Sequence, residues 1–168
     1  MRIVTDYLDH SAELFPDKTA VADQYRTVTF GVLKEEALHI ASYIIKHFGK
    51  WHAPVCFYLD KSAYCISAMM GIAYSGNFYT PIDTKMPAAR IEKILETLEK
   101  PLMVTDRKHL SQVEQFIGNS EVFCLEDAMN EPYDEEKVRK TTNHIIDTDV
   151  LFTFQGARTS LLTAVLQG

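Results

Sequence analysis

Apolar and polar positions along the chain fall into two alternating rhythms. Ile3, Val4, Tyr7, Leu8, Ala12, Leu14 and Phe15 recur at helical spacing until Pro16-Asp17 breaks the pattern, which predicts a helix over 3–15. Thr19-Ala20-Val21-Ala22 and Thr27-Val28-Thr29-Phe30 flank the polar turn Asp23-Gln24-Tyr25-Arg26 and read as a β-hairpin. A second helix is predicted from 31 to 48, with Val32, Leu33, Leu38, Ile40, Ala41, Ile44 and Ile45 inward. Thr29 is placed to cap it, and Gly49 to end it in the left-handed conformation.

Beyond residue 53 the rhythm becomes strand, helix, strand, helix. The run 54–59 suits a buried parallel strand, followed by a helix over 63–75. A strand at 78–80 leads into a Pro-Ile-Asp turn at 81–83 and a helix over 87–98 that Pro101 stops. A strand at 102–105, a helix over 106–116 and a strand at 121–124 complete the series. The polar run 126–143 reads as a surface loop with a turn of helix. The fold class is therefore α/β: a mainly parallel sheet flanked by helices, with an N-terminal helix and β-hairpin and right-handed crossovers.

The chain has 168 residues, 46% hydrophobic and 24% charged, enough for one domain with a real core. A net charge of -6 argues against nucleic acid or an anionic membrane as partner, since both select basic faces. No apolar run nears the ~20 residues of a membrane span, and the polar start Arg2-Ile3-Val4-Thr5-Asp6 lacks a secretory pattern, so a cytoplasmic protein is expected. Cys56, Cys65 and Cys124 show no ligand spacing and read as small buried hydrophobes. The six histidines form no ligand set, so no metal site is expected. Trp51 is expected to anchor beneath the following strand, Lys61 to be a solvated loop lysine, and Asp83 and Arg90 to pin the turn and pair locally.

Three segments, in order, resemble the adenylate-forming (AMP-binding) ligase superfamily. Thr27-Val28-Thr29-Phe30 before a helix carrying Leu33 and Ala37 is similar to its first core segment. More specific is the block 71–95. Small residues Gly71, Ala73, Ser75 and Gly76 precede Tyr79-x-Pro81-Ile82-Asp83, then Pro87 and Arg90-Ile91. That order resembles the second core motif of amino-acid adenylation domains, and its Pro-Ile-Asp core is closer to these and to D-alanine carrier-protein ligases than to long-chain acyl-CoA enzymes. The small helix residues have a physical use, letting a sheet backbone approach closely. Third, 147–153 looks like the strand that delivers the chain to the family's ATP loop.

After Thr153 the resemblance stops. The family continues with glycines, hydroxyls and a lysine that cradle phosphate. Here the chain reads Phe154-Gln155-Gly156-Ala157-Arg158-Thr159-Ser160, and Phe154 and Ala157 carry no side-chain donor. A frameshift near residue 153 accounts for this: codons for Gln155 to Ser160 can be chosen that read Gly-Ser-Thr-Asp-Ile in another frame. Deliberate truncation or a short paralogue fits as well. Residues 1–153 are thus expected to be a partial N-terminal subdomain, and 154–168 a divergent, off-frame tail.

The resemblance implies a parent enzyme that activates a carboxylate, an amino acid foremost, with ATP and Mg²⁺, and passes the acyl-adenylate to a carrier-protein thiol or coenzyme A. For this chain alone it implies no adenylation and no tight nucleotide binding. Thr153 is the single residue carried over as a nucleotide contact. Implied partners are a carrier protein, the missing C-terminal portion of the enzyme, or a second copy of the chain. Two alternatives stay open: a non-catalytic α/β partner-binding module, and a small independent nucleotide-binding domain.

Overall fold

The computed structural model describes residues 3–142; the strand expected at 147–153, with Thr153 at its end, and the tail expected over 154–168 lie outside them. The first helix, α1 (Val4–Leu14), is closed at its start by the Asp6 carboxylate, which accepts the Ile3 amide at 3.4 Å. It buries Thr5 and Leu8 and stops before Pro16. Strands β1 (Thr19–Ala22) and β2 (Thr27–Thr29) pair antiparallel as the hairpin. Helix α2 (Phe30–His47) begins one residue earlier than expected, because Phe30 is already helical. Thr29 Oγ1 accepts the Val32 amide at 3.4 Å. Val32 was expected inward but is 43% exposed, since the core stripe runs through Leu33, Ala37, Leu38, Ile40, Ala41 and Ile44. Gly49 closes the helix at φ 56°.

Four strands form the parallel sheet: β3 (Pro54–Tyr58), β4 (Phe78–Ile82), β5 (Leu102–Thr105) and β6 (Val122–Cys124), in the order β4-β3-β5-β6. Alternation sorts their side chains onto two buried faces. Val55, Phe57, Leu102, Val104 and Phe123 pack under α2 and α3 (Ala63–Tyr74). Cys56, Tyr58, Ile82 and Met103 pack under α4 (Ala88–Thr97) and α5 (Leu110–Phe116). The β3–α3–β4 unit steps one way across the first face. The β4–α4–β5 and β5–α5–β6 units step the other way across the second. Direction and face reverse together, so all three crossovers share one hand, as the twist of parallel sheets demands.

The small residues of α3 face a different neighbour from the one expected. A Cβ on Gly71 would lie 2.5 Å from Ile40 Cβ, so the close approach is to α2 rather than to a strand. Outside these helices a further layer of Leu8, Val28, Leu33, Leu38, Met70 and Tyr74 joins α1 and the hairpin to α2 and α3. The hairpin is also tied by Arg26, whose guanidinium grips Glu36 in two parallel bonds of 2.6 and 2.9 Å and stacks 3.7 Å over Tyr64.

Four local expectations are corrected. Strand β4 continues through Pro81-Ile82, because Pro81 points its missing donor away from β3. Helix α5 starts at Leu110 and not at 106, since Asp106 turns back to accept the His109 amide at 2.8 Å. The expected loop over 126–143 holds two helices, α6 (Leu125–Asn130) and α7 (Glu135–Thr142). Leu125, Ala128 and Val138 are buried, and Asp134 Oδ1 caps α7 by accepting the Lys137 amide at 3.0 Å. The link between them is held to α2, where His39 Nδ1 donates to the Glu131 carbonyl at 2.8 Å and His47 Nε2 to its carboxylate at 2.7 Å. Finally, Trp51 is 51% exposed; it leans on Gly76, where a Cβ would meet its ring at 2.5 Å, instead of lying under β3.

Candidate functional site

In an open parallel sheet the loops that follow two neighbouring strands diverge where the winding direction reverses, leaving a crevice at the strands' C-terminal ends. Here β3 and β5 are those neighbours. Each of β3, β4 and β5 is followed by an aspartate, at Asp60, Asp83 and Asp106. The strand ends are locked together: Thr105 Oγ1 donates to the Tyr58 carbonyl at 2.9 Å, and Tyr58 Oη donates to the Thr84 carbonyl at 3.0 Å.

Asp60 is the hub of the crevice. Thr84 Oγ1 donates to its Oδ1 at 3.1 Å, Lys108 Nζ pairs with Oδ2, and His109 Nε2 lies 3.4 Å from Oδ1. Lys108 holds the Asp60 carboxyl below its usual range, with smaller help from Thr84 and His109 against the cost of burial. The same pair raises the Lys108 ammonium. His109 is 5% exposed and its Nδ1 lies 2.6 Å from Asp106 Oδ1. Both ring nitrogens thus face carboxylates, and Tyr58 meets the ring edge-on at 5.7 Å. An imidazole so placed ties the loops after β3 and β5 together.

Beside this hub a cleft of about 320 Å³ is lined by Tyr64, Asp106, Leu125, Glu126, Met129 and Asn130. Its walls combine an apolar floor with two carboxylates. Glu126 already accepts the Arg107 amide at 3.1 and 3.2 Å, and Asp127 pairs with the Arg107 guanidinium at 2.6 Å. A larger groove of about 670 Å³ lies between α1, α2 and α7, with Asp9, Lys34, Tyr74 and Thr142 on its walls.

Among the described residues no group of three His, Cys, Asp or Glu side chains is placed to hold a metal ion, and the oxygens of Asp60 are engaged by Lys108, Thr84 and His109. Burial pushes the Cys56 thiol up to about 12 and the Cys124 thiol to about 11, which disfavours their thiolates.

Thr153 falls outside the described residues, so the crevice is built without the one residue carried over from sequence. Asp83 does pin its turn, accepting the Lys85 amide at 2.9 Å, while Lys61 and Arg90 are exposed. Asp60, Thr84, Lys108 and His109 were not singled out from sequence. The signal that could have found them is the aspartate that follows three successive strand runs.

An α/β scaffold wound in this way, with an aspartate-studded crevice at its strand ends, defines a class rather than a single activity. Comparison with known proteins narrows it. The AMP-binding enzyme family model matches residues 8–155, and the chain belongs to that family. Surfactin synthase subunit 1 of Bacillus subtilis (strain 168) is 32% identical over 133 residues, 79% of this chain. Two solved structures share the fold. The nonribosomal peptide synthetase FmoA3, in its AMPPNP-bound form, has a TM-score of 0.71 at 19% identity over 79% of this chain. O-succinylbenzoate coenzyme A synthetase (MenE) of Bacillus subtilis, in complex with ATP and magnesium ion, has a TM-score of 0.67 at 19% identity over 76% of this chain. The chain spans only 4% of the surfactin synthase subunit, 15% of the FmoA3 chain and 34% of the MenE chain.

Proposed function

We propose that this chain is the N-terminal scaffold of an amino-acid-activating adenylate-forming ligase and does not form an acyl-adenylate by itself. The observation that carries this reading is the Tyr79-x-Pro81-Ile82-Asp83 motif on β4 and its turn, within a family match over residues 8–155, together with the sequence Phe154-Gln155-Gly156-Ala157 at the end of that match. A phosphate cradle needs successive backbone amides, hydroxyls and a cation, and one glycine does not make it. Residues 1–153 form the partial subdomain in this reading, and 154–168 a divergent tail.

The parent enzyme uses ATP and Mg²⁺ to activate a carboxylate and delivers the product to a carrier-protein thiol or coenzyme A. It works in the cytoplasm; among the described residues no helix is long and apolar enough to cross a membrane. The chain's partners are the remaining, C-terminal portion of the enzyme, a carrier protein or a second copy. The similarity to a peptide synthetase and to a structure solved with AMPPNP supports this reading.

Amino-acid-dependent exchange of pyrophosphate into ATP tests it. The isolated chain is expected to match a heat-killed control across the twenty amino acids, and exchange above that control overturns the reading. Sequencing the encoding DNA tests the origin of the tail: codons for 154–168 that restore the family's loop in another frame support an off-frame tail, and unrelated codons remove it.

A further inference from the structure

Helix α4 carries Glu92 and Glu96 four residues apart, and Glu99 follows just past its end; all three are exposed. Each stands where local physics disfavours it. Glu92 and Glu96 are like charges at i and i+4, and Glu96 and Glu99 lie at the helix's C-terminal end, where the macrodipole is already negative. Neither α4 nor α5 has a basic residue in its last turn. Glu99 also holds the left-handed position, at φ 55°, that glycine would occupy at lower cost.

The fold does not supply the balancing cations. Among the described residues no ion pair reaches Glu92, Glu96 or Glu99. Lys100, four residues after Glu96, has left the helix at φ 63° and pairs with none of the three. Where several local rules are broken together and nothing in the fold compensates, a partner that does so is the physical expectation.

The three carboxylates rim a groove of about 620 Å³ between the C-terminal ends of α4 and α5. Leu95, Phe116 and Ile117, all buried, form its floor. The facing wall, from Gln115 to Ser120, is uncharged. Strands β5 and β6 begin just after these helix ends, so the groove lies at the opposite end of the sheet from the Asp60 crevice. We propose that this groove docks a basic amphipathic polypeptide segment, with lysines or arginines on the row of Glu92, Glu96 and Glu99 and apolar side chains on the floor.

Charge and shape select this occupant over others. The carboxylates are spread along about 10 Å of the helix axis, and among the described residues no group of three His, Cys, Asp or Glu side chains is placed to hold a metal ion. A row of cations answers a row of anions, as on a helix whose lysines recur every three or four residues. A polyamine would meet the row and leave the apolar floor uncovered, whereas a polypeptide covers both. Nucleic acid has the wrong sign. The charges orient the segment on approach, and burial of the floor holds it. The docking stands on this groove alone, so a failed or successful exchange assay leaves it untouched.

Nuclear magnetic resonance on the isotopically labelled 168-residue chain, titrated with a synthetic helical peptide of leucine and lysine, tests it. Expected are saturable shifts of the amides at 92–100 and 115–120, with binding that weakens as salt is added. A variant combining Glu92→Gln, Glu96→Gln and Glu99→Gln should bind roughly tenfold more weakly. It should melt no lower than the unaltered chain, since it loses repulsion and no contact. A peptide with serine in place of leucine should also bind more weakly. Shifts that are absent or centred elsewhere, undiminished binding by the triple variant, or equal binding of the serine peptide or of spermine would each overturn the proposal. A lower melting temperature of the variant would overturn it too, because the carboxylates would then have partners within the chain.

Discussion

Asp23 Oδ2 accepts the main-chain amide of Ala63 at 2.7 Å, so the tip of the hairpin caps a helix 40 residues further along the chain. Ser62 stands at the N-cap of α3 but its hydroxyl makes no capping bond, which leaves the orphan amide to Asp23. The other oxygen, Oδ1, accepts the amides of Tyr25 and Arg26 and shapes the turn itself. One carboxylate thereby joins the hairpin to the first turn of the helix that leads into the family motif.

Replacing Asp23 with Asn should lower the melting temperature near neutral pH, and the loss should depend on pH. Hydrogen bonds from the Ala63, Tyr25 and Arg26 amides, in that order, with the charge of Arg26, hold the carboxyl below its usual range. The folded pKa is depressed, so the stabilisation is complete above about 3.8, the unfolded value, and fades as pH falls through the folded one. Melting curves of both proteins from pH 7 downwards should converge in acid. A difference that stays constant would contradict the role given to the charge.

Glu99 is a second point where a change has a clear sign. The end of α4 forms a Schellman turn, with the Lys100 amide bonded to the Leu95 carbonyl at 3.1 Å and the Glu99 amide to the Glu96 carbonyl at 3.1 Å. The left-handed position that glycine favours is held here by Glu99 at φ 55°, and Lys100 follows at φ 63°. Glu99→Gly should therefore raise stability by about 0.5–1 kcal/mol, read as a higher midpoint in urea with an unchanged slope. A lower midpoint would mean that the side chain contributes more than its strained backbone costs.

Glu99 also marks the limit of what sequence periodicity discloses. Pro101 signalled that a helix must have ended, but the turn that ends it is built from residues with no left-handed preference. Parallel strands and their helices were legible because burial on both faces forces apolar runs bounded by breakers. Helix α7 was not, because only Val138 of its eight residues is buried while Glu136 and Lys140 pair on its exposed side at 2.7 Å. The motif on β4 was legible as a resemblance, through fixed spacings. The crevice was not, because Thr84 and His109 lie 24 and 49 residues beyond Asp60 along the chain and are joined to it only by strand order.

Gly71→Ala should be costly despite its small size. The new methyl would sit 2.5 Å from Ile40 Cβ and 2.7 Å from its Cγ2, and Ile40 is fully buried beneath the sheet. Neither branched atom is the free end of a flexible chain, so α2 and α3 must separate. Overpacking of this kind costs about 1–3 kcal/mol, offset in part by the helix propensity of alanine. Chemical denaturation should show a lower midpoint, and pairing the change with Ile40→Val should not restore it, since the Cβ contact remains. Full tolerance of Gly71→Ala would show that the two helices are not packed this closely in solution.

Thr80 offers the opposite case, a buried polar group whose removal should help. It is fully buried on β4 opposite Cys56, on the face shared with Ile82 and Met103, and its Oγ1 has no hydrogen-bond partner. A hydroxyl taken out of water without compensation costs about 1–3 kcal/mol, and valine keeps nearly the same shape while adding apolar surface to the core. Thr80→Val should raise stability by about 1 kcal/mol, and Thr80→Ser should lower it, because serine keeps the hydroxyl and loses the methyl. Urea midpoints of the three proteins in the order Val, Thr, Ser would bear this out. A destabilised Thr80→Val would mean that the hydroxyl finds a partner in solution and that the interior beneath α4 is less dry than its packing indicates.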